Sequence, residues 1–329
     1  MKIAIDGMGG DQAPKVIVDG VVAGAKECDY DLVLVGDKTT LRRELSRYRR
    51  YPSNISIAHA SEVIGMDEPP AVSVRRKRNS SIAVGIELMK KGVVDAFISA
   101  GNTGAVVCSA TLSLGLLRGV DRPGISIVFP TFMGVSMMID VGANIDPRPI
   151  HLLLYGIMAD AYSKYILGKP RPSIGLLSIG EEATKGTDFV REAHKLLEES
   201  RLNFVGNIEG QDVFTGRCDI ILCDGFVGNI VLKVAEGIGG AITKLMKSQI
   251  KSRPLAKIGA LLSKPAFMRM WKDLDYSEYG GAPLLGIDGR VIISHGGSSA
   301  KAIKNAIKRA AEFKENELNK RILEELESY

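Results

Sequence analysis

Residues 2–27 read KIAIDGMGGDQAPKVIVDGVVAGAKE, and the order of residue types in this stretch decides the fold. Lys2–Asp6 is a short run with apolar residues at consecutive positions, the pattern of a strand covered on both faces. Gly7-Met8-Gly9-Gly10-Asp11 ends it in a corner. Pro14 then stands at the first position of a helical pattern that reaches Glu27, where its missing N–H has no helical partner to lose. A strand, a glycine corner and a helix make half of a βαβ unit.

The same order recurs. Further Val- and Ile-rich strands are expected at Asp31–Val35, Ile55–His59, Asp95–Ser99, Gly124–Phe129, Ser136–Val141, Ser173–Ile179, Asn203–Ile208, Asp219–Cys223 and Arg290–Ser294. Helical patterns lie between them at Ser80–Lys91, Thr103–Leu117, Arg148–Leu167, Thr187–Ser200 and Val227–Ile250, and over Ser298–Leu326 as one long helix or two. Alternation of this kind predicts the α/β class, with an open parallel or mixed sheet covered by helices. No internal repeat and no Pro/Gly/Ser linker divides the chain. Residues 1–329 are therefore expected to form one catalytic unit of two interleaved lobes.

Composition bounds the chemistry. The chain has 329 residues, 45% of them hydrophobic, enough for a large core, and 36 glycines, which suit many tight corners better than a β-sandwich. A net charge of +5 hints at an anionic ligand or partner. Cys28, Cys108, Cys218 and Cys223 form no CxxC pair, as expected of a reduced cytosolic protein. The first residues lack the pattern of a signal peptide, and no uncharged apolar run of about 18 residues suggests a spanning helix.

The corners carry the functional signal. Besides Gly7–Asp11 they are Ser99-Ala100-Gly101-Asn102-Thr103-Gly104, Gly142-Ala143-Asn144, Gly180-Glu181-Glu182 leading to Lys185-Gly186-Thr187, Asp224-Gly225-Phe226-Val227-Gly228-Asn229, and His295-Gly296-Gly297-Ser298. Ligands of open α/β sheets bind outside the carboxyl ends of the strands, where helix N-termini offer unpaired N–H groups. Gathered on one rim, such corners would cradle a phosphate or an oxyanion. The Walker pattern GxxxxGK[ST] and a GxGxxG opening are both absent, so neither a nucleoside triphosphate nor a Rossmann-bound dinucleotide is indicated.

AIDGMGGDQAP (4–14), SAGNTGA (99–105), DVGAN (140–144), LSIGEEATKGT (177–187), NIEG (207–210), CDGFVGN (223–229), DYSEYGGAPLLG (275–286) and SHGGS (294–298) follow one another along the chain. Together these blocks resemble the phosphate acyltransferases of bacterial phospholipid synthesis, the acyl carrier protein–phosphate transacylases, over essentially its whole length. The resemblance implies a fold like that of isocitrate and isopropylmalate dehydrogenases, with the active-site cleft at the strand C-terminal ends. It implies a homodimer that uses acyl carrier protein and inorganic phosphate. The product, an acyl phosphate, would pass to a membrane-bound glycerol-3-phosphate acyltransferase.

Attack of phosphate on a thioester needs no cofactor and no metal, because a thiol of ordinary pKa, about 8.5, leaves readily. Lys185 is the expected cationic ligand of phosphate. Asn102, Thr103, Asn144 and Asn229 are expected donors to phosphate or oxyanion, although each equally suits a helix cap. Gly9, Gly10, Asp11, Gly101, Gly104, Gly180, Glu181, Gly228, Gly296, Gly297 and Ser298 are expected to line the pocket. Among the strand-end carboxylates Asp6, Asp11, Asp140 and Asp224, one can orient a donor or take a proton, and Asp224 is the one assigned to catalysis. His295 is the histidine placed to protonate the leaving sulfur. Cys108, inside the apolar stretch AVVCSATL, reads as a buried inert thiol, which favours direct displacement over an acyl-cysteine route.

Lys244 to Lys272 holds eight Lys or Arg and no Asp or Glu, interleaved with Leu255, Ile258, Leu261, Leu262, Phe267, Met268, Met270 and Trp271. This basic amphipathic segment, taken as 244–273, suits an anionic membrane surface or an acidic protein such as the acyl carrier, and peripheral membrane association of a cytoplasmic enzyme is expected. Arg42–Arg50 and Arg75–Arg78 are two further basic runs. Neither has the aromatic interleaving of a nucleic-acid module, and no nucleic-acid partner is expected. Two alternatives share the fold: a metal-dependent decarboxylating dehydrogenase, for which no arginine clamp is apparent, and a phosphotransacetylase acting on short acyl-coenzyme A.

Overall fold

The computed structural model describes residues 1–268 and 280–329. Met270 and Trp271, with the start of the 275–286 block, lie outside the described residues. Among the described residues eleven strands are found: β1 (Lys2–Asp6), β2 (Asp31–Gly36), β3 (Ile55–His59), β4 (Ala96–Ser99), β5 (Gly124–Thr131), β6 (Gly134–Ile139), β7 (Ile174–Leu177), β8 (Phe204–Ile208), β9 (Ile220–Leu222), β10 (Ala282–Leu285) and β11 (Val291–Ile293). The helices are α1 (Lys15–Ala25), α2 (Lys38–Leu45), α3 (Pro70–Arg76), α4 (Ser81–Lys90), α5 (Thr103–Leu114), α6 (Pro149–Tyr165), α7 (Asp188–Glu198), α8 (Gly225–Ser252), α9 (Pro254–Leu262), α10 (Ala300–Glu315) and α11 (Leu318–Glu327). All ten expected strands are present. The sequence reading missed β10, α2 and α3.

One continuous sheet runs β3-β2-β1-β4-β11-β10-β5-β6-β9-β7-β8. It is the expected open mixed sheet. Burial on both faces follows from the apolar strands: Ile3 and Ile5 belong to one core that also holds residues of α1, α2, α6, α7, α10 and α11, whereas Ala4, Val33 and Phe97 belong to a second that holds residues of α4 and α5.

Strand direction divides the sheet. β1, β2, β3, β4 and β11 are mutually parallel, and β6, β9, β7 and β8 form a second parallel set. β5 is antiparallel to β6 and β10, and β10 is antiparallel to β11, so the second set runs opposite to the first. The glycine corners therefore occupy two rims instead of the single rim expected. Right-handed twist moderates the opposition. At about 20–25° per strand, the five steps from β4 to β9 rotate one set by roughly 100–125°, which swings the two sets of strand ends towards each other.

α8 joins the rims. It starts after β9, and its 28 residues make a rod of about 42 Å. Val227 and Val231 pack on the core. Phe226, Ile230, Val234, Ile238, Ile242 and Leu245 form an exposed apolar stripe. By length and composition α8 is apolar enough to cross a membrane, although Lys233 and Glu236 interrupt its apolar span.

Candidate functional site

The first rim is organised by Asp6, the last residue of β1 and 1% exposed. Its Oδ1 accepts Met8 N–H at 3.0 Å and its Oδ2 accepts the Ser99 hydroxyl at 2.7 Å. Ser99 Oγ accepts Gly101 N–H at 3.0 Å. One carboxylate thus fixes the corners after β1 and β4. Burial lifts its pKa, opposed by hydrogen bonds from Ser81, Ser99 and Met8. Gly9 is required by close approach, since a Cβ there would come within 2.6 Å of Gly101 N. Asp11 N–H donates to Gly296 O at 2.9 Å and draws in the corner after β11.

Two side chains on this rim are tied into the protein. Asn102 caps α5 by accepting Ala105 N–H, and its Nδ2 donates to the carbonyls of Gly65, Met66 and Glu68 at 3.0–3.1 Å. That amide is committed to holding loop 62–69, so it has no donor left for a ligand. The N–H groups of Thr103 and Gly104 beyond the cap meet no acceptor among the described residues. His295 is a turn histidine. Its Nδ1 accepts Gly297 N–H at 3.1 Å, which puts the proton of the neutral ring on Nε2, and Nε2 lies 3.9 Å from Glu236 Oε2 on α8. Ser298 N–H closes the turn on His295 O.

The second rim is organised by Asp140, fully buried beyond β6. It accepts four backbone N–H groups, those of Ile125, Gly142, Ala143 and Asn144, at 2.7–3.1 Å. Burial raises its pKa, with those four donors opposing. Asn144 Nδ2 donates to Pro123 O at 2.6 Å and to the Tyr155 hydroxyl at 2.7 Å, so this amide too is committed inside the protein. Asp224 caps α8 by accepting Phe226 and Val227 N–H at 3.0 and 2.9 Å. Gly225 N–H donates to Asn144 O, so the first donors of α8 are occupied. Gly228 must be glycine, because a Cβ would fall 2.0 Å from Asp140 O. Asn229, half-buried beside Gly142, has no hydrogen-bond partner among the described residues.

Lys185 sits on the same rim, after β7, the strand that pairs with β9. The exposed side chain makes no ion pair among the described residues, and its stem lies over Gly180. A buried relay holds the loop: His194 Nδ1 and Asn207 Oδ1 are 2.9 Å apart, Asn207 Nδ2 donates to Glu182 O at 3.0 Å, and Lys185 N–H donates to the same carbonyl at 2.9 Å. Glu181 is turned to Arg217, whose guanidinium lowers its pKa.

Gly9, Gly10, Asp11, Gly101, Asn102, Thr103, Gly104, His295, Gly296, Gly297 and Ser298 thus share the first rim. Asn144, Asp224, Gly228 and Asn229 share the second, with Gly180, Glu181 and Lys185 on its adjacent strand. The rims are linked through α8. Glu236, on the same helical face as Asn229 two turns earlier, reaches His295, and about 16 Å of helix separates Gly225 from Glu236. Sequence reasoning missed Glu236, although its spacing of seven from Asn229 was a usable signal. Cys108 is half-buried and burial raises its pKa. Among the described residues no group of three or more His, Cys, Asp and Glu is placed to hold a metal.

A family model described as fatty acid synthesis protein matches residues 1–321. A phosphate acyltransferase of Geotalea uraniireducens is 47% identical over 327 residues, covering 99% of this chain and 94% of that protein. One of Pelotomaculum thermopropionicum is 50% identical over 328 residues, covering 100% and 96%. Among solved structures, a phosphotransacetylase from Streptococcus pyogenes superposes with a TM-score of 0.66 at 19% identity, covering 96% of this chain and 94% of that one. A 4-hydroxythreonine-4-phosphate dehydrogenase from Klebsiella pneumoniae gives 0.52 at 16%, covering 94% and 98%. At such identities the structural likeness is one of fold.

Proposed function

This chain belongs to the phosphate acyltransferase family, and from that premise we propose that it moves a long-chain fatty acyl group from an acyl carrier protein thioester to inorganic phosphate, supplying acyl phosphate for phospholipid synthesis. The observation that carries the reading is the state of the polar side chains on the second rim. Lys185 and Asn229, on adjoining strand ends, are without protein partners among the described residues, while Asn144 and Asp224 are committed to the fold.

In this proposal phosphate rests against Lys185 and Asn229, and the thioester carbonyl oxygen turns to the open Thr103 and Gly104 N–H groups at the start of α5. A phosphate oxygen attacks the carbonyl carbon. The C–O bond forms, the oxyanion collapses, the C–S bond breaks, and the proton of hydrogen phosphate ends on the departing sulfur. With Nδ1 occupied by Gly297 N–H, His295 turns its Nε2–H, beside Glu236, to that sulfur and steadies it as the phosphate proton arrives. Each oxyanion donor is worth about 2.7–4 kcal/mol in comparable sites. The whole chain acts as one unit whose interleaved lobes each supply a rim. A homodimer and peripheral attachment to an anionic membrane, beside a membrane-bound glycerol-3-phosphate acyltransferase, complete the proposal. They are supported by the exposed stripe of α8 and by exposed Leu255, Ile258, Leu261 and Leu262 among Lys251, Lys257 and Lys264.

Thiol release from a long-chain acyl carrier thioester, with and without phosphate and against acetyl-coenzyme A, tests the reading. Release is expected only with phosphate and only from the long-chain carrier. Preference for acetyl-coenzyme A would make the chain a phosphotransacetylase instead, and phosphate-independent release would make it a thioesterase.

A further inference from the structure

We propose that the arginine run at the end of α3 is the docking surface for the acidic carrier protein. The inference rests on the carrier-dependent reading above and adds where the carrier sits. Four basic residues follow one another, Arg75, Arg76, Lys77 and Arg78. Lys77 is built into the fold: its Nζ donates to Val63 O at 2.7 Å and pairs with Glu68, which also accepts Gly65 N–H and the Ser73 hydroxyl. Arg75, Arg76 and Arg78 are exposed and make no hydrogen bond or ion pair among the described residues. Three unpaired guanidinium groups within four positions repel one another, an arrangement whose charge is relieved by an anionic partner.

Their place in the fold identifies that partner. The segment that carries them is anchored to the first rim at both ends. Pro70 packs on Gly104, where a Cβ would come within 2.5 Å of its ring, and Ser81 hydrogen-bonds the buried Asp6. Asn102 grips the loop that leads into α3. The seven residues of α3 span about 10 Å, so the arginines stand on the order of 10 Å from the open N–H groups of α5.

The other basic regions are placed differently. α2 starts at the C-terminal end of β2, so Arg42 and Arg43 in its last turn lie back along the strands, and Arg47 is already paired with Asp19 and Glu44. Lys244 lies about 12 Å along α8 beyond Glu236, and Lys251, Lys257 and Lys264 follow among the exposed apolar residues Leu255, Ile258, Leu261 and Leu262, a mixture that suits a membrane surface. A carrier that must deliver a thioester into the cleft needs its charges met beside the cleft, and α3 presents three unpaired arginines together, one short helix away from the open N–H groups of α5.

The test compares wild type with Arg75→Glu/Arg76→Glu/Arg78→Glu and with the triple Arg→Lys variant. Two substrates are used, a long-chain acyl carrier thioester and the same acyl group on uncharged N-acetylcysteamine. The Glu variant is expected to raise KM for the carrier thioester about tenfold or more and to flatten its salt dependence, with kcat and turnover of the small thioester preserved. The Lys variant is expected to stay near wild type. An unchanged carrier KM and salt response in the Glu variant overturns the proposal, as does loss of binding to anionic phosphatidylglycerol vesicles with carrier KM intact, which would make the patch a lipid contact. If wild type turns over the small thioester and ignores the carrier, the carrier-dependent reading itself falls, and the docking surface with it.

Discussion

The two rims are built on the same device and left with different residues. Asp6 and Asp140 both sit at the end of a strand, buried, and both gather the N–H groups of the following glycine corner. Asp6 divides its oxygens between its own turn and Ser99, and so clamps neighbouring strands together. Asp140 takes four backbone N–H groups, one from β5 and three from its own turn. Asp11, His295 and two open amides remain on the first rim, Lys185 and Asn229 on the second. This difference is what the proposed division of labour rests on, with the carbonyl and the departing sulfur assigned to the first rim and phosphate to the second.

The largest effect is expected where this contrast is deepest. Asp140→Ala strands four buried donors at about 1–3 kcal/mol each, so a loss of more than about 3 kcal/mol in urea unfolding is expected, larger than for Asp6→Ala. The reverse order would break the comparison. Next comes Lys185→Ala, which is expected to raise KM for phosphate about 10–100-fold while thermal stability holds. The two asparagines sharpen the division further. Asn229→Ala should lower turnover about tenfold in a stable protein, whereas Asn102→Ala should lower the melting temperature through the freed 62–69 loop. Differential scanning fluorimetry beside initial-rate kinetics reads both.

An acid titration probes the first rim alone. Glu68, held by Lys77, Gly65 N–H and Ser73, has its pKa lowered from 4.5 to about 2. Its carboxylate therefore stabilises the 62–69 loop fully above pH 4.5, and the contribution fades as pH falls towards about 2. The melting-temperature gap between wild type and Glu68→Gln should be present at pH 6 and close near pH 2. A gap that persists at pH 2 contradicts the assignment. The smallest effect is expected at Cys108→Ala, a folded variant with unchanged turnover under direct displacement; loss of turnover would restore an acyl-cysteine route.

Much of this architecture was legible in the sequence because the strands are Val- and Ile-rich and end in glycine. The elements that escaped have physical reasons. β10 is four residues, Ala282–Leu285, with a proline inside. α2, KTTLRREL, is too polar for a strong apolar period, and α3, PAVSVRR, is too short for one. The division into two rims depends on the β5–β6 hairpin, whose tip Phe132-Met133 lacks a common turn signature. Asn102 and Asn144 suit a ligand donor and a helix cap equally as residue types, and the acceptors that claim them, at Gly65–Glu68 and at Pro123 and Tyr155, are remote in sequence or carry no motif. Lys185 and Asn229 differ in that their side chains have no protein partner among the described residues.

Where phosphate binds tests the division of labour most directly. A crystal structure of the enzyme soaked with inorganic phosphate should place the anion within hydrogen-bond distance of both Lys185 Nζ and Asn229 Nδ2. Phosphate bound instead beside Asp6 and His295 on the first rim, with Lys185 and Asn229 untouched, would contradict it.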